Sequence, residues 1–195
     1  MAANSFQELY VEQLQDLYSA EDQIIKALPK MIDAAQSEDL RDALTEHLEI
    51  TRKQAERLEK ICKELGEDPK SEKCKGMEGV LKEGSDLVNK VGQREVRDAA
   101  IIAAAQRVEH YEMAGYGTAR TYATLLGYDE AASALEQTLE EEKQADETLS
   151  GLAEQLNVAA LQEEESEAAG PRKSDSERGH GSRTAKSVAR RKRAA

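Results

Sequence analysis

Acidic side chains lie at the centre of the apolar stripes of three helical segments, where a solvated residue is not expected. A helix advances about 100° per residue, so Glu21 falls between Leu17 and Ile24 on the first segment. By the same count, Glu109 and Glu142 are in line with apolar residues on two later segments. Burying an unpaired charge is costly, so such a carboxylate is expected to be protonated, paired with a cation or bound to a metal ion.

Other polar residues are predicted on the same inner faces. His47 and Gln54 interrupt the stripe of the second helix, and Asp146 lies one turn beyond Glu142. Glu112 lies about 60° from the centre of its stripe, at the edge. Inward basic residues are too few to pair these carboxylates, and carboxylates with His suit iron or manganese. We therefore predict a metal site formed by Glu21, His47, Glu109, Glu142 and Asp146, with Glu112 and Gln54 as further candidates.

Each of these residues also has an ordinary explanation when it is taken singly. A Glu in a Glu-rich helix is usually solvated, and a lone inward His is usually a hydrogen-bonded core residue. The set favours metal binding, because one inward carboxylate on each of three helices points to a shared cause.

Four long helical patterns must position these residues. The first opens at Ser5, and Glu8 three residues later completes a capping box. The other three are predicted over Ser37 to Gly66, Arg94 to Leu126 and Glu130 to Leu156.

A long crossover joins the second helix to the third, whereas the other two connections are short. It covers residues 67–93 and is predicted to contain a short helix around Met77 to Val91. Two antiparallel hairpins joined by one long crossover form the connectivity of ferritin-like bundles. The predicted fold is therefore all-α, a ferritin-like four-helix bundle with a short extra helix.

The charge of the chain is divided unevenly along its length. The net charge is −12, yet residues 171–195 carry nine Lys or Arg against two acidic residues. Apolar periodicity is lost after Val158, so we predict a bundle over residues 1–158 and a disordered tail over 159–195, acidic and then basic. The acidic body argues against nucleic-acid binding by the folded part. The tail either contacts phosphates weakly through Arg190, Arg191, Lys192 and Arg193 or only aids solubility.

Targeting signals are not evident. The N-terminus shows no signal-peptide pattern, and no apolar run approaches the length that spans a bilayer. We therefore expect a cytoplasmic protein without membrane contact. Two cysteines are too few for a disulfide framework, and Cys74, in the crossover, is expected to be exposed and oxidisable.

Several segments resemble the bacterial YciE/YciF family of ferritin-like proteins. They are YSAEDQ (18–23), EHLEIT (46–51), KCKGMEG (73–79), EVRDAAIIAAAQRVEHYEMAGYGT (95–118) and TLEEEK (138–143). The resemblance covers about residues 5–155 and implies a rubrerythrin-like bundle, a homodimer, a link to stress conditions and two metal ions per chain.

The chain departs from the wider ferritin-like pattern, which places a Glu-x-x-His pair on each of two helices. No Glu stands three residues before His47, and Glu142 is followed by Ala145 and Asp146 rather than His. By the resemblance, Glu21, Glu109 and Glu142 carry over as ligands.

Two function classes stay open at this point. One is a metalloprotein with two ions joined by carboxylates, acting on peroxide, dioxygen or ferrous iron as a peroxidase, catalase or ferroxidase. The other is a non-enzymatic dimeric stress protein with a weak or vestigial metal site and a tail that contacts nucleic acid. Oxidation absorbance and peroxide consumption after loading with ferrous iron distinguish them.

Overall fold

Five helices make up the part of the chain that the computed structural model describes, residues 4–92 and 94–169. No strand occurs within these ranges. The helices are α1 (Phe6–Ala34), α2 (Glu38–Leu65), α3 (Lys75–Lys90), α4 (Arg94–Leu126) and α5 (Asp129–Ala169).

The ends of the first two helices follow from their capping residues. The Oγ atom of Ser5 accepts a hydrogen bond from the Glu8 amide at 3.1 Å, and Ser37 caps α2 in the same way. Gly66 ends α2 and Gly127 follows α4, each with a φ of 78°. This left-handed conformation is one that glycine adopts without a steric penalty.

The helices pair as the chain connectivity requires. The short turns make antiparallel hairpins of α1 with α2 and of α4 with α5, and α3 packs against α4 and α1 within the crossover. Contacts of α1 with α4 and of α2 with α5 close the bundle. The prediction of an all-α, ferritin-like four-helix bundle is confirmed.

The apolar core consists of two separate clusters along the bundle axis. One contains Ile24, Leu44, Val108 and Leu149, and the other contains Leu17, Leu58, Tyr116 and Leu139. On α2, α4 and α5, buried polar residues lie between the members of the two clusters in sequence: Thr51 and Gln54 on α2, Glu109 and Glu112 on α4, and Glu142 on α5. On α1, the buried Glu21 directly follows Ala20, the first α1 member of the cluster that contains Ile24.

The turn between α1 and α2 is held by a buried carboxylate. Asp98, on α4, accepts hydrogen bonds from the backbone amides of Gln36 and Ser37, both at 2.8 Å. These amides lie at the N-terminus of α2, where no helical carbonyl is available to accept from them. The contact fixes the first hairpin against the second.

Two sequence expectations need correction. Helix α5 does not end at Leu156 but continues to Ala169, because Ala, Glu, Gln and Leu favour helix even where apolar periodicity is lost. Cys74 is fully buried rather than exposed, because it belongs to the apolar cluster that contains Ile24. Its thiol also caps α3 by accepting a hydrogen bond from the Met77 amide at 3.3 Å.

The rest of the predicted tail, including Arg190, Arg191, Lys192 and Arg193, lies outside the described residues. The domain boundary at residue 158 and the nucleic-acid contact therefore stay predictions. Within the described ranges, none of the helices combines the length and apolar character needed to cross a membrane.

Candidate metal centre

Four buried side chains from three helices bring their donor atoms together in the polar layer between the two apolar clusters. They are His47 of α2, Glu109 and Glu112 of α4, and Glu142 of α5. One ligand atom from each lies within 4.8 Å of the others. The Nε2 atom of His47 is 3.5 Å from Oε1 of Glu109. We refer to these four residues together with Glu21 of α1 as the carboxylate cluster.

The side chains of the carboxylate cluster are buried. Glu21 and Glu142 are fully buried, and His47, the most accessible member, is 7% exposed. Glu21 and Glu112 point into the bundle because each lies one helical turn from a core residue of its own helix. These core residues are Leu17 on α1 and Tyr116 on α4. The bundle thus holds five ionisable groups in a region where water does not screen their charges.

Many of these buried polar atoms lack a hydrogen-bond partner in the described part of the chain. They include both ring nitrogens of His47, both oxygens of Glu142 and one oxygen each of Glu21, Glu109 and Glu112. Buried polar atoms in native proteins are nearly always satisfied, and exceptions suggest a functional site or an ion. The donor set of oxygens with one imidazole fits iron or manganese.

Burial raises the pKa of Glu21, Glu109 and Glu112 well above the ordinary value of 4.5. The neighbouring carboxylates raise it further, since like charges this close disfavour ionisation. Burial also raises the pKa of Glu142, to about 7. Without a cation, the cluster therefore holds protons at neutral pH.

The imidazole of His47 is uncharged under the same conditions. Burial lowers its pKa from 6.5 to about 4. A neutral imidazole has a free lone pair, which is the form that binds metal ions. Thr51 does not compete for the ring, because its hydroxyl donates to the His47 carbonyl oxygen one turn back at 2.8 Å.

Two further contacts border the cluster. The buried hydroxyl of Tyr116 donates a short hydrogen bond to Glu21. Arg57 binds Glu141 through two hydrogen bonds, with Nη2 2.8 Å from Oε1. Burial alone would raise the pKa of Glu141, but the pairing with Arg57 lowers it below the ordinary value. Arg57 is therefore engaged outside the cluster, and no Lys or Arg of the described residues forms an ion pair with its buried carboxylates.

The structure places the remaining predicted residues at the border or outside. Gln54 is buried, and its Nε2 donates to Glu141 at 3.2 Å. Asp146 stands apart from the group of four, with its carboxylate 21% exposed. It accepts from Gln106 at 3.2 Å and lies 3.5 Å from Nε2 of His110. Asp146 is about 40° and one turn beyond Glu142 on α5, so its carboxylate reaches the α4–α5 surface.

A comparison with protein families gives a match over most of the chain. The profile of a family described as a domain of unknown function, DUF892, matches residues 5–162. The chain belongs to the DUF892 family. Protein YciF of Escherichia coli K12 is 44% identical over 154 residues, which are 78% of this chain and 93% of YciF.

Solved structures of similar chains share the fold. The E. coli stress protein YciF has a TM-score of 0.76 at 43% identity, with 79% of this chain and 98% of that chain covered. YcfI from Rhodopseudomonas palustris has a TM-score of 0.73 at 44% identity, with 75% and 94% covered. A protein from Xanthomonas campestris matches at 20% identity with a TM-score of 0.68 and so shows the fold alone. The resemblance seen in the sequence is confirmed.

The donor pattern of this DUF892 chain differs from the ferritin-like one. Helix α2 supplies His47 without a Glu three residues before it, and α5 supplies Glu142 without a His three residues after it. Helix α4 supplies two carboxylates, Glu109 and Glu112. Sequence reasoning placed Glu112 only at the edge of the stripe. Because α4 packs against α1, α3 and α5, its buried face is wider than one stripe.

Proposed function

We propose that this chain is a ferritin-like metal-binding protein that holds two divalent ions, iron or manganese, in the carboxylate cluster. The observation that carries the proposal is the set of buried donor atoms without hydrogen-bond partners. Four ionised carboxylates carry four negative charges, which two divalent ions balance. The neutral His47 adds a donor without changing that balance.

The residues of the cluster have distinct parts in this function. Glu109, Glu112, Glu142 and His47 would bind the ions, and Glu21 would complete the set from α1. The hydrogen bond from Tyr116 orients the Glu21 carboxylate. The apolar clusters on either side exclude water, which strengthens every interaction between charges in the layer.

When bound, the metal ions would supply redox chemistry toward peroxide or dioxygen, or ferrous iron would itself be the substrate. The protein would supply a closed, oriented site and the groups that release protons on binding. Consumption of peroxide by the iron-loaded protein supports an enzyme, whereas binding without turnover supports a scaffold. The stress link belongs to YciF by its description and is proposed here, with a cytoplasmic homodimer, as the setting of the activity.

Thermal unfolding with and without manganese tests the proposal. A ligand that binds only the folded state raises its stability, so wild type is expected to melt at a higher temperature with manganese. Glu109→Gln is expected to lose this gain, because an amide carries no charge and does not bind a hard cation well. Without metal it is expected to be as stable as wild type or more stable at neutral pH.

Asp146→Asn is the matched control, since Asp146 is the predicted ligand that lies apart from the donor group. It is expected to keep the manganese gain of wild type. If Glu109→Gln gains as much stability as wild type, or if wild type gains none, the proposal is wrong.

A further inference from the structure

A pocket of about 330 Å³ lies between α2 and α5. Its outer wall includes the exposed side chains of Asp42 and Glu46 on α2 and of Gln144 and Thr148 on α5. These residues recur at intervals of four along their helices, so they follow one groove.

The floor of this α2–α5 pocket is formed by two members of the carboxylate cluster, His47 and Glu109. They are 7% and 2% exposed, and both ring nitrogens of His47 and one oxygen of Glu109 lack hydrogen-bond partners in the described chain. The pocket is thus a place where buried, unpartnered donor atoms face a connection to solvent. The larger pocket between α1, α3 and α4, about 460 Å³, is lined by no residue of the cluster.

The charges of the outer wall determine which kind of ligand this pocket attracts. Asp42 and Glu46 form no ion pair within the described residues, and the lining contains no Lys or Arg. Glu141 also lines the pocket, but it is already bound to Arg57. Two like charges one helical turn apart cost the helix a few tenths of a kcal/mol and create a negative potential that concentrates cations at the mouth.

We propose that the α2–α5 pocket is the route by which a hydrated divalent cation reaches the carboxylate cluster. The cation is attracted by Asp42 and Glu46 and passes the small side chain of Ala145. It then meets His47 and Glu109 as its first buried ligands. This inference rests on the proposed metal-binding function and assigns its ligand class and its path.

Ala145→Leu tests the path without touching a ligand. Ala145 is half-buried in the pocket wall, and a leucine there fills space through which the ion must pass. Stopped-flow mixing with Co²⁺ alone is expected to show association slowed by about tenfold, with the final number of bound ions unchanged. Ala27→Leu is the matched control, since Ala27 is half-buried in the wall of the pocket between α1, α3 and α4. It is expected to bind Co²⁺ at the wild-type rate.

The double variant Asp42→Asn and Glu46→Gln tests the charge and changes only exposed side chains. At low ionic strength its Co²⁺ association rate is expected to fall by roughly threefold or more, and to depend less on salt than the wild-type rate. It also keeps the inference testable if Ala145→Leu fails to fold.

The outcomes separate the two proposals. If wild type binds no Co²⁺ at equilibrium, the metal-binding function is wrong and the route has no purpose. If wild type binds Co²⁺ but both the folded Ala145→Leu and the double variant bind it at the wild-type rate, only the route is overturned. Equal slowing by Ala27→Leu and Ala145→Leu would also overturn it.

Discussion

Replacing Glu142 by Gln is expected to stabilise the metal-free protein by roughly 3 kcal/mol at about pH 8. Burial raises the pKa of this carboxyl from 4.5 to about 7, and each pKa unit is worth about 1.4 kcal/mol. Ionising Glu142 in the folded protein therefore costs that much more than ionising it in the unfolded chain. A glutamine of nearly the same shape has no proton to lose.

The sign of the pH dependence follows from proton binding. Between 4.5 and about 7 the folded protein holds a proton on Glu142 that the unfolded chain has released, so wild-type stability falls as the pH rises through this window. His47 acts in the opposite direction between about 4 and 6.5, because burial lowers its pKa. Comparing the variant with wild type at each pH removes the contribution of His47.

The assay is thermal unfolding in chelator over the range from about pH 4.5 to 8. For a chain of this size, roughly 3 kcal/mol corresponds to a melting temperature higher by about 6–12 °C, and the difference should vanish at the acidic end. Glu147→Gln is the control, since Glu147 is exposed on the same helix. Equal melting temperatures of wild type and Glu142→Gln at pH 8, or a difference that does not change with pH, would refute the reasoning.

Three further outcomes are expected. Asp98→Ala should destabilise the protein by roughly 2–4 kcal/mol in urea unfolding, because the backbone amides of Gln36 and Ser37 lose their carboxylate acceptor. A loss of stability below about 1 kcal/mol would show that these amides find other partners. Ending the chain after Glu165 should leave the melting temperature nearly unchanged and abolish any gel shift of DNA, and a retained shift would assign DNA binding to the acidic body. Manganese binding should release protons and become tighter as the pH rises through 7, since burial raises the pKa of the four buried Glu side chains. Calorimetry in buffers of different ionisation enthalpy measures the number of protons released. An affinity that does not change with pH would contradict this expectation.

Buried polar residues could be predicted from the sequence where they lie at the centre of the apolar stripe of their helix. Glu21, Glu109 and Glu142 are at the centre of such stripes, and each is at most 2% exposed. Glu112 was placed only at the edge, because the stripe of a single helix does not reveal that α3 also covers α4. Asp98 was missed altogether, since its partners at Gln36 and Ser37 come from a turn about sixty residues away.

The ends of elements were predictable where a specific residue sets them. Ser5, Ser37, Gly66 and Gly127 mark helix boundaries through capping hydrogen bonds or a positive φ. Between Leu156 and Ala169 the sequence contains neither Gly nor Pro, and loss of apolar periodicity there does not end the helix. Periodicity reports which face is buried, whereas propensity decides whether an exposed helix continues.

Anaerobic titration of the metal-free protein with Co²⁺ tests the central claim most directly. The visible absorption of Co²⁺ reports its ligands, and the break in the titration gives the number of ions per chain. The carboxylate cluster predicts a break at two ions for wild type and for Asp146→Asn, and a loss of at least one ion for Glu109→Gln. Absence of binding by wild type, or the same two-ion break in Glu109→Gln, would contradict a metal site built on the buried carboxylates.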